Sequence, residues 1–459
     1  MSVGARAGYI HRLGPCRPPG SNPLTTMTST RVLALALPLL MMASVARGAA
    51  PAEPPARFAW VGGTVIDGTS GPVLPDRVIL TRGDRIEAVR AAEGFHADPD
   101  MTVIDVHGKF LIPGLVNSHV HLATSAVPDA ARTYLRRELF SGVTAVRDMA
   151  GDARLLGELG REARFHEIAS PDIAYSALIA GPEFFRDPRT QQASRGLTPG
   201  SAPWMQAVDG ATDLPRAIAR AKGSGATGVK VYADVSAPLL AAVAKEAHAQ
   251  GLLVSSHAAV FPARPGDAVR AGVDVMSHAC MLGYEVTDPL PALVTHPPLA
   301  VDMRRLAERG DLVDTLLAQM KAHGTLLDAT LFIYFADDTG TDCTYAASAD
   351  LAARAWRAGV ALTAGTDDEP GDHAGPWSAL LQELVLLHDG AHLPAADVIR
   401  AGTINGARAI GRDRDMGTIE AGKLANFVVL DRDPLVDLHH LETLWMTVKD
   451  GIAYRRSAF

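Results

Sequence analysis

Leu111-Ile112-Pro113-Gly114-Leu115-Val116-Asn117-Ser118-His119-Val120-His121 is an apolar run that stops on two imidazoles. Pro113-Gly114 breaks the chain, so residues 115–121 read as one β-strand entered from a turn. Alternation along that strand places His119 and His121 on the same face, about 7 Å apart. The same pattern recurs downstream: Lys230 lies in Gly228-Val229-Lys230-Val231-Tyr232, His257 ends Val254-Ser255-Ser256-His257, His278 ends Met276-Ser277-His278, and Asp367 follows Ala364-Gly365-Thr366. Groups so distant in sequence meet only where a fold gathers strand ends, as the mouth of a parallel barrel does.

Eight apolar stretches qualify as barrel strands: residues 115–121, 143–149, 173–179, 228–233, 252–257, 273–278, 325–331 and 360–366. Helical periodicity fills most gaps between them, as in 237–249, which stops before Gly251, and 312–322, which stops before Gly324. This alternation predicts a (β/α)8 TIM barrel over 113–415. Shorter strands at 59–66, 78–81, 86–89 and 102–106, with 426–430 and 445–449 at the other end, predict a small β-sandwich domain from 57–112 plus 416–459. Two long connections, 181–204 and 282–298, follow the third and sixth barrel strands, where loops of that length shape pockets.

Composition narrows the function classes. With 459 residues, 47% hydrophobic and 20% charged, the chain has enough material for one large domain and a smaller one. A formal charge of -8 without any basic run argues against nucleic acid and anionic membranes, and leaves a small molecule as the expected partner. Residues 32–45 form an apolar run preceded by Arg31 and followed by Ala46-Arg47-Gly48-Ala49, a signal-peptide pattern too short to span a bilayer. Residues 1–56 are therefore expected to be leader and linker, with Met27 the expected start and the mature protein exported, periplasmic or secreted. Only Cys16, Cys280 and Cys343 occur, and Cys16 would leave with the leader, so no disulfide framework is expected.

The residue types also point to chemistry. One histidine at a strand end is most often a hydrogen-bonded core residue, but His119, His121, His257 and His278 at three strand ends suit a borderline ion such as zinc. Lys230 sits between valines, where an unpaired ammonium is costly. Pairing with an acid such as Asp148 is one remedy; carboxylation to an anionic carbamate able to bridge two ions is another. Asp367 is placed to take a proton from activated water and hand it to a leaving group, with Asp368 a neighbour in the surrounding shell.

Three segments, Val61-Gly62-Gly63-Thr64-Val65-Ile66-Asp67-Gly68, the run from Leu111 to His121, and Gly417-Thr418-Ile419-Glu420-Ala421-Gly422-Lys423-Leu424-Ala425-Asn426, together resemble the amidohydrolase superfamily. The nearest branch by this resemblance is the imidazolonepropionase-like and metal-dependent dipeptidase, prolidase-type, group. The resemblance implies that His119, His121 and Asp367 hold one divalent ion, His257 and His278 a second, and a carboxylated Lys230 bridges them. It further implies that a metal-bridging hydroxide attacks an amide carbonyl while Asp367 carries the proton to the amine, with Tyr232 a candidate to hydrogen-bond substrate. Asn117 and Asn426 depart from it, each standing where many relatives have an acid. The expected substrate is a dipeptide or N-acyl amino acid, whose carboxylate Arg186, Arg189, Arg195 or His373 could meet. The competing readings are a one-metal cyclic-amide hydrolase or deaminase, a lactone or phosphotriester hydrolase, and a non-catalytic binding protein. Assembly into a homo-oligomer stays open.

Overall fold

In the first part of the chain, β-branched and aromatic residues separated by glycine turns form β1 (Arg57–Val65), β2 (Leu74–Arg82), β3 (Arg85–Ala91), β4 (Met101–Asp105) and β5 (Phe110–Pro113). The computed structural model describes residues 56–125, 127–294, 300–336 and 343–459. Apart from Ala56, the leader and linker lie outside the described residues, as does part of the loop 282–298.

Immediately after β5 the barrel begins: β6 (Leu115–Val120), β7 (Val143–Asp148), β8 (Asp172–Ala180), the short β9 (Ser201–Ala202) and β10 (Met205–Ala207), then β11 (Gly228–Val231), β12 (Leu253–His257), β13 (Val275–Ser277), β14 (Leu326–Asp328) and β15 (Leu362–Thr363). Leaving β9 and β10 aside, neighbours pair in parallel in chain order. The ring closes between its first and last strands through a parallel bridge from Val120 to Asp368, where the N–H groups of Thr366 and Asp367 donate to His119 O at 3.2 and 2.9 Å. All eight expected strands are present. The helix Ala237–Ala249 buries Leu240, Val243, Ala244 and Ala247, one face at helical spacing against the barrel.

Two strands stop earlier than their apolar runs suggest. After β14, Thr330 takes a φ of +51° and the chain turns into the helix Leu331–Ala336, whose first turn is capped by the buried Glu383 carboxylate accepting from Phe332 N at 2.6 Å. After β15 the backbone leaves the ladder to reach Asp367. Elsewhere the barrel widens: β8 pairs with β7 only through Asp172–Tyr175, and beyond that β10 takes its place alongside Leu178–Ala180. The expected loop 181–204 thus contributes a strand edge to the barrel mouth.

The chain returns through β16 (Phe427–Leu430), β17 (Leu444–Lys449) and β18 (Ile452–Arg455). They join the opening strands in one mixed 8-stranded sheet, ordered β18-β17-β16-β5-β1-β2-β3 with β4 beside β1. Trp60 and Phe427 meet edge to face at 5.1 Å in its core. Asn426, one of the departures from the family pattern, accepts from Asp450 N at 2.7 Å and so braces the turn into β18. The fully buried Lys449 ion-pairs with Asp172 at 2.8 Å and Asp450 at 2.6 Å, fastening this sheet to β8.

Contrary to the expectation from cysteine count, Cys280 and Cys343 form a disulfide across a sequence separation of 63. The segment after β13 packs against the helix Tyr345–Arg357, with Tyr284 and Ala347 around the sulfurs, which brings together two thiols that sequence spacing does not pair. Among the described residues no helix is long and apolar enough to cross a membrane. The cross-link lies two residues beyond His278. Replacing both cysteines by alanine is expected to lower unfolding free energy by about 2–4 kcal/mol, read from urea denaturation with and without reductant.

Candidate active site

Barrel strand ends bring the sequence-predicted residues together. His119 lies near the end of β6 and His121 just follows it, Lys230 lies in β11, His257 ends β12, His278 follows β13 and Asp367 follows β15. Several mouth residues hold left-handed backbone: Ala150, Asp234, His278, Thr330 and Asp367 have φ of +96°, +59°, +75°, +51° and +59°. Strain of this kind persists only where surrounding structure enforces it, and here it aims His278 and Asp367 inward.

Asp367 is the hub. Its Oδ1 lies 2.9 Å from both His119 Nε2 and His121 Nε2, and its Oδ2 lies 3.8 Å from His278 Nδ1. His119, His278 and Asp367 form a group whose ligand atoms all lie within 4.8 Å of one another. The imidazoles continue as a chain of ring contacts, His119 to His278 at 5.4 Å, His278 to His257 at 4.9 Å and His257 to Tyr232 at 4.7 Å. Among the described residues the His257 imidazole makes no hydrogen bond.

Electrostatics follow from burial and these neighbours. Burial works against the Asp367 charge, but His119, His121 and His278 outweigh it and hold the carboxyl well below the usual range. Burial pushes His278 down to about 3 and His257 well below its ordinary value, so both imidazoles are neutral donors. Lys230 is wholly buried and pulled down to about 7, chiefly by desolvation, with Asp328 opposing and Arg147 reinforcing the shift. It does not meet Asp148, which instead accepts from the backbone N–H groups of Leu122, Ala150 and Gly151. Its ammonium donates to Ser277 Oγ at 2.7 Å.

Imidazoles around one ionised carboxylate are a donor set that fits a divalent metal. His119 Nδ1 is engaged by Asp328 at 2.7 Å, which leaves Nε2, on the Asp367 side, as the nitrogen to present to an ion. Asp328 was not singled out by the sequence reasoning, although an acid in Thr325-Leu326-Leu327-Asp328 is as anomalous in an apolar strand as Lys230 is in its own. Asn117, the other departure from the family pattern, donates to Thr366 Oγ1 at 3.0 Å and accepts from Thr366 N at 3.2 Å, linking the first and last strands. Asp368 is fully buried and accepts from Tyr134 and Thr366.

Beside the hub opens a cavity of ≈ 330 Å³, lined by His121, Tyr232 and Asp367 on one part and Leu178, Phe184 and Met205 on another. Arg189 also lines it, ion-paired to Asp187 at 2.7 Å, and the fields of Tyr232 and Asp367 reach its guanidinium. Among the four carboxylate-binding candidates only Arg189 lines this cavity: Arg186 pairs with Glu183 at the surface with its side chain 81% exposed, His373 meets Phe332 edge to face, and Arg195 lies outside. Tyr232 donates its hydroxyl to Met149 O at 2.7 Å.

The sequence model of the Amidohydrolase family matches residues 110–453. This chain belongs to the amidohydrolase family. A 5-methylthioadenosine/S-adenosylhomocysteine deaminase of Moorella thermoacetica is 26% identical over 386 residues, covering 79% of this chain and 83% of that protein. An imidazolonepropionase of Symbiobacterium thermophilum is 25% identical over 385 residues, covering 78% and 84%. An adenine deaminase of Rubrobacter xylanophilus is 37% identical over 86 residues, and the match spans only 14% of its length. Among solved structures, a Xaa-Pro dipeptidase with methionine bound in its active site superposes with a TM-score of 0.67 at 20% identity, over 87% of this chain and all of that one, a likeness of fold.

Gly365 permits the convergence. A Cβ there would lie 2.4 Å from Asp328 Oδ1 and 2.6 Å from His119 Cβ. Gly365→Ala is expected to cost about 1–3 kcal/mol by overpacking and to reduce bound metal, measured by thermal unfolding and elemental mass spectrometry on the same sample.

Proposed function

We propose that this amidohydrolase cleaves an amide bond in a small substrate such as a dipeptide or N-acyl amino acid, using two divalent ions, zinc by default. Lys230 carries the reading. A fully buried amine near neutrality, adjoining His257 and His278 and hydrogen-bonded among the described residues only to a hydroxyl, is in the state that adds carbon dioxide. Once the ammonium has given up its proton, that addition forms an N–C bond at the neutral amine and releases a second proton, so that two protons leave as a buried cation becomes an anion with two ligand oxygens.

When bound, two such ions activate water as a nucleophile and polarise the scissile carbonyl. His119, His121 and Asp367 would hold one, His257 and His278 the other, and the carbamate of Lys230 both. Asp367 takes up a proton and returns it to the departing amine. Tyr232 lines the cavity, and its hydroxyl, donating to Met149, keeps lone pairs for a substrate N–H. Arg189 supplies the positive charge for a carboxylate, and the apolar wall of Leu178, Phe184 and Met205 takes a hydrocarbon side chain.

The second reading is a one-metal deaminase or cyclic-amide hydrolase, supported by the likeness to the deaminase and imidazolonepropionase over about four fifths of the chain. Under the first reading the protein works outside the cytosol, a setting supported by the Cys280–Cys343 disulfide and by the apolar run 32–45.

Metal content decides between the two. Protein supplied with zinc and bicarbonate is expected to hold close to two ions per chain, while one ion would favour the deaminase reading. Lys230→Ala is expected to lose metal and to reduce activity by more than about a hundredfold, with partial recovery on adding formate or acetate. In a panel of dipeptides and N-acyl amino acids, Arg189→Met should raise KM by about 10–100-fold for substrates with a free carboxylate and leave their amides little changed.

A further inference from the structure

Asp328 lies at the end of β14, wholly buried and outside the cavity lining. Its Oδ2 accepts from His119 Nδ1 at 2.7 Å and from Ser277 Oγ at 3.1 Å, and its Oδ1 lies 3.3 Å from Ser118 Oγ, which donates to Ala364 O at 2.8 Å. Its backbone carbonyl accepts from His278 N at 2.9 Å. The Ser277 hydroxyl has one proton, spent on Asp328, so its lone pairs face Lys230 Nζ at 2.7 Å.

We infer that Asp328 is a positioning residue shared by both halves of the metal site: it fixes which ring nitrogen His119 presents and, through Ser277, holds the Lys230 side chain in place. The inference rests on the reading that His119 and Lys230 serve the ions.

Three features support it. A carboxylate this deep costs more than an apolar side chain of similar volume, unless its charge is used. The charge is used here, because ionised Asp328 offers only lone pairs and therefore forces the proton of His119 onto Nδ1. Nε2, 2.9 Å from Asp367 Oδ1, is then the nitrogen left to present to an ion. The Ser277 bond extends the same control to the second half: with its proton committed to Asp328, the hydroxyl must accept from the amine, which orders a four-carbon side chain that would otherwise sample several rotamers. The absence of Asp328 from the cavity wall makes this an action through His119 and Ser277.

The test uses full-length protein labelled with 15N-histidine, metal-free, together with zinc titration against a chromophoric chelator and 13C NMR after 13C-bicarbonate. In the wild type the imidazole of His119, told apart from that of His440 on Asp433 O by its absence from His119→Asn, should show the Nδ1–H tautomer. Asp328→Ala should lose that tautomer and weaken zinc binding about 10–100-fold. Ser277→Ala should keep the tautomer and lower the carbamate signal at least threefold. Asp328→Asn, which keeps the shape and one accepting oxygen, should restore part of the affinity lost in the alanine variant. If Asp328→Ala does not fold, Asp328→Asn is read against the wild type, and a fall of at least threefold in affinity or carbamate is expected. Wild-type tautomer, affinity and carbamate in a folded Asp328 variant would overturn the inference. Failure of the wild type to bind zinc would overturn the metal reading, while the tautomer experiment would still judge the His119 contact by itself.

Discussion

Closure of the barrel between its first and last strands is the constraint on which the site depends. The carbonyl of His119 accepts from Thr366 and Asp367, and His121 N donates to Asp368 O at 3.0 Å. Those backbone bonds set the distance between the two histidines at the end of β6 and just beyond it and the carboxylate of Asp367, separated by nearly 250 residues of chain. Side-chain bonds reinforce the seam, with Asn117 gripping Thr366 from the opposite strand. Gly365 allows the two backbones to approach. Without the seam, His-Val-His would be one more polar strand end.

Behind the seam the barrel interior carries charge in place of the usual branched aliphatic layers. Arg147 donates to Ser118 O, Ser255 Oγ and Ala409 O, and with Lys230 it supplies buried positive charge facing Asp328 and Asp367. In so dry a place each charge survives only through its partners. Burial would raise the Asp328 pKa, yet His119, Arg147 and Lys230 hold it below the ordinary value. Lys230 has the weakest compensation of the four and is the group driven furthest toward neutrality. The residue least stable as a cation is thus the one for which conversion to an anion changes the site most.

The mouth is asymmetric for a backbone reason. Because β8 outruns β7 and takes β10 as its neighbour, the wall between the second and third strands is built from the loop after β8. That loop delivers Phe184, Asp187 and Arg189 to the cavity, next to Tyr232 from β11. Candidate ligands on strand ends and cavity-lining groups on the segment after β8 follow a division common to barrel enzymes.

Much of this was legible in the sequence. Period-two and helical patterns located all eight barrel strands, and the six candidate ligands stood out because a charged or metal-binding side chain at the end of an apolar run conflicts with its own neighbourhood. The resemblance of three segments to one family named that family before any geometry. Asp328 obeyed the same rule and was missed, since Leu326-Leu327-Asp328 also reads as an ordinary strand exit. The disulfide was missed because sequence spacing says nothing about which thiols meet. Local sequence determined what each element is, through propensity, periodicity and the cost of burying polar groups. Only tertiary structure decided which elements touch: that Lys230 meets Ser277 and not Asp148, that Arg189 alone of four candidates lines the cavity, and that Cys280 finds Cys343. Those outcomes depend on distances across the barrel, which the chain sets by closing on itself and not by any residue's immediate neighbours.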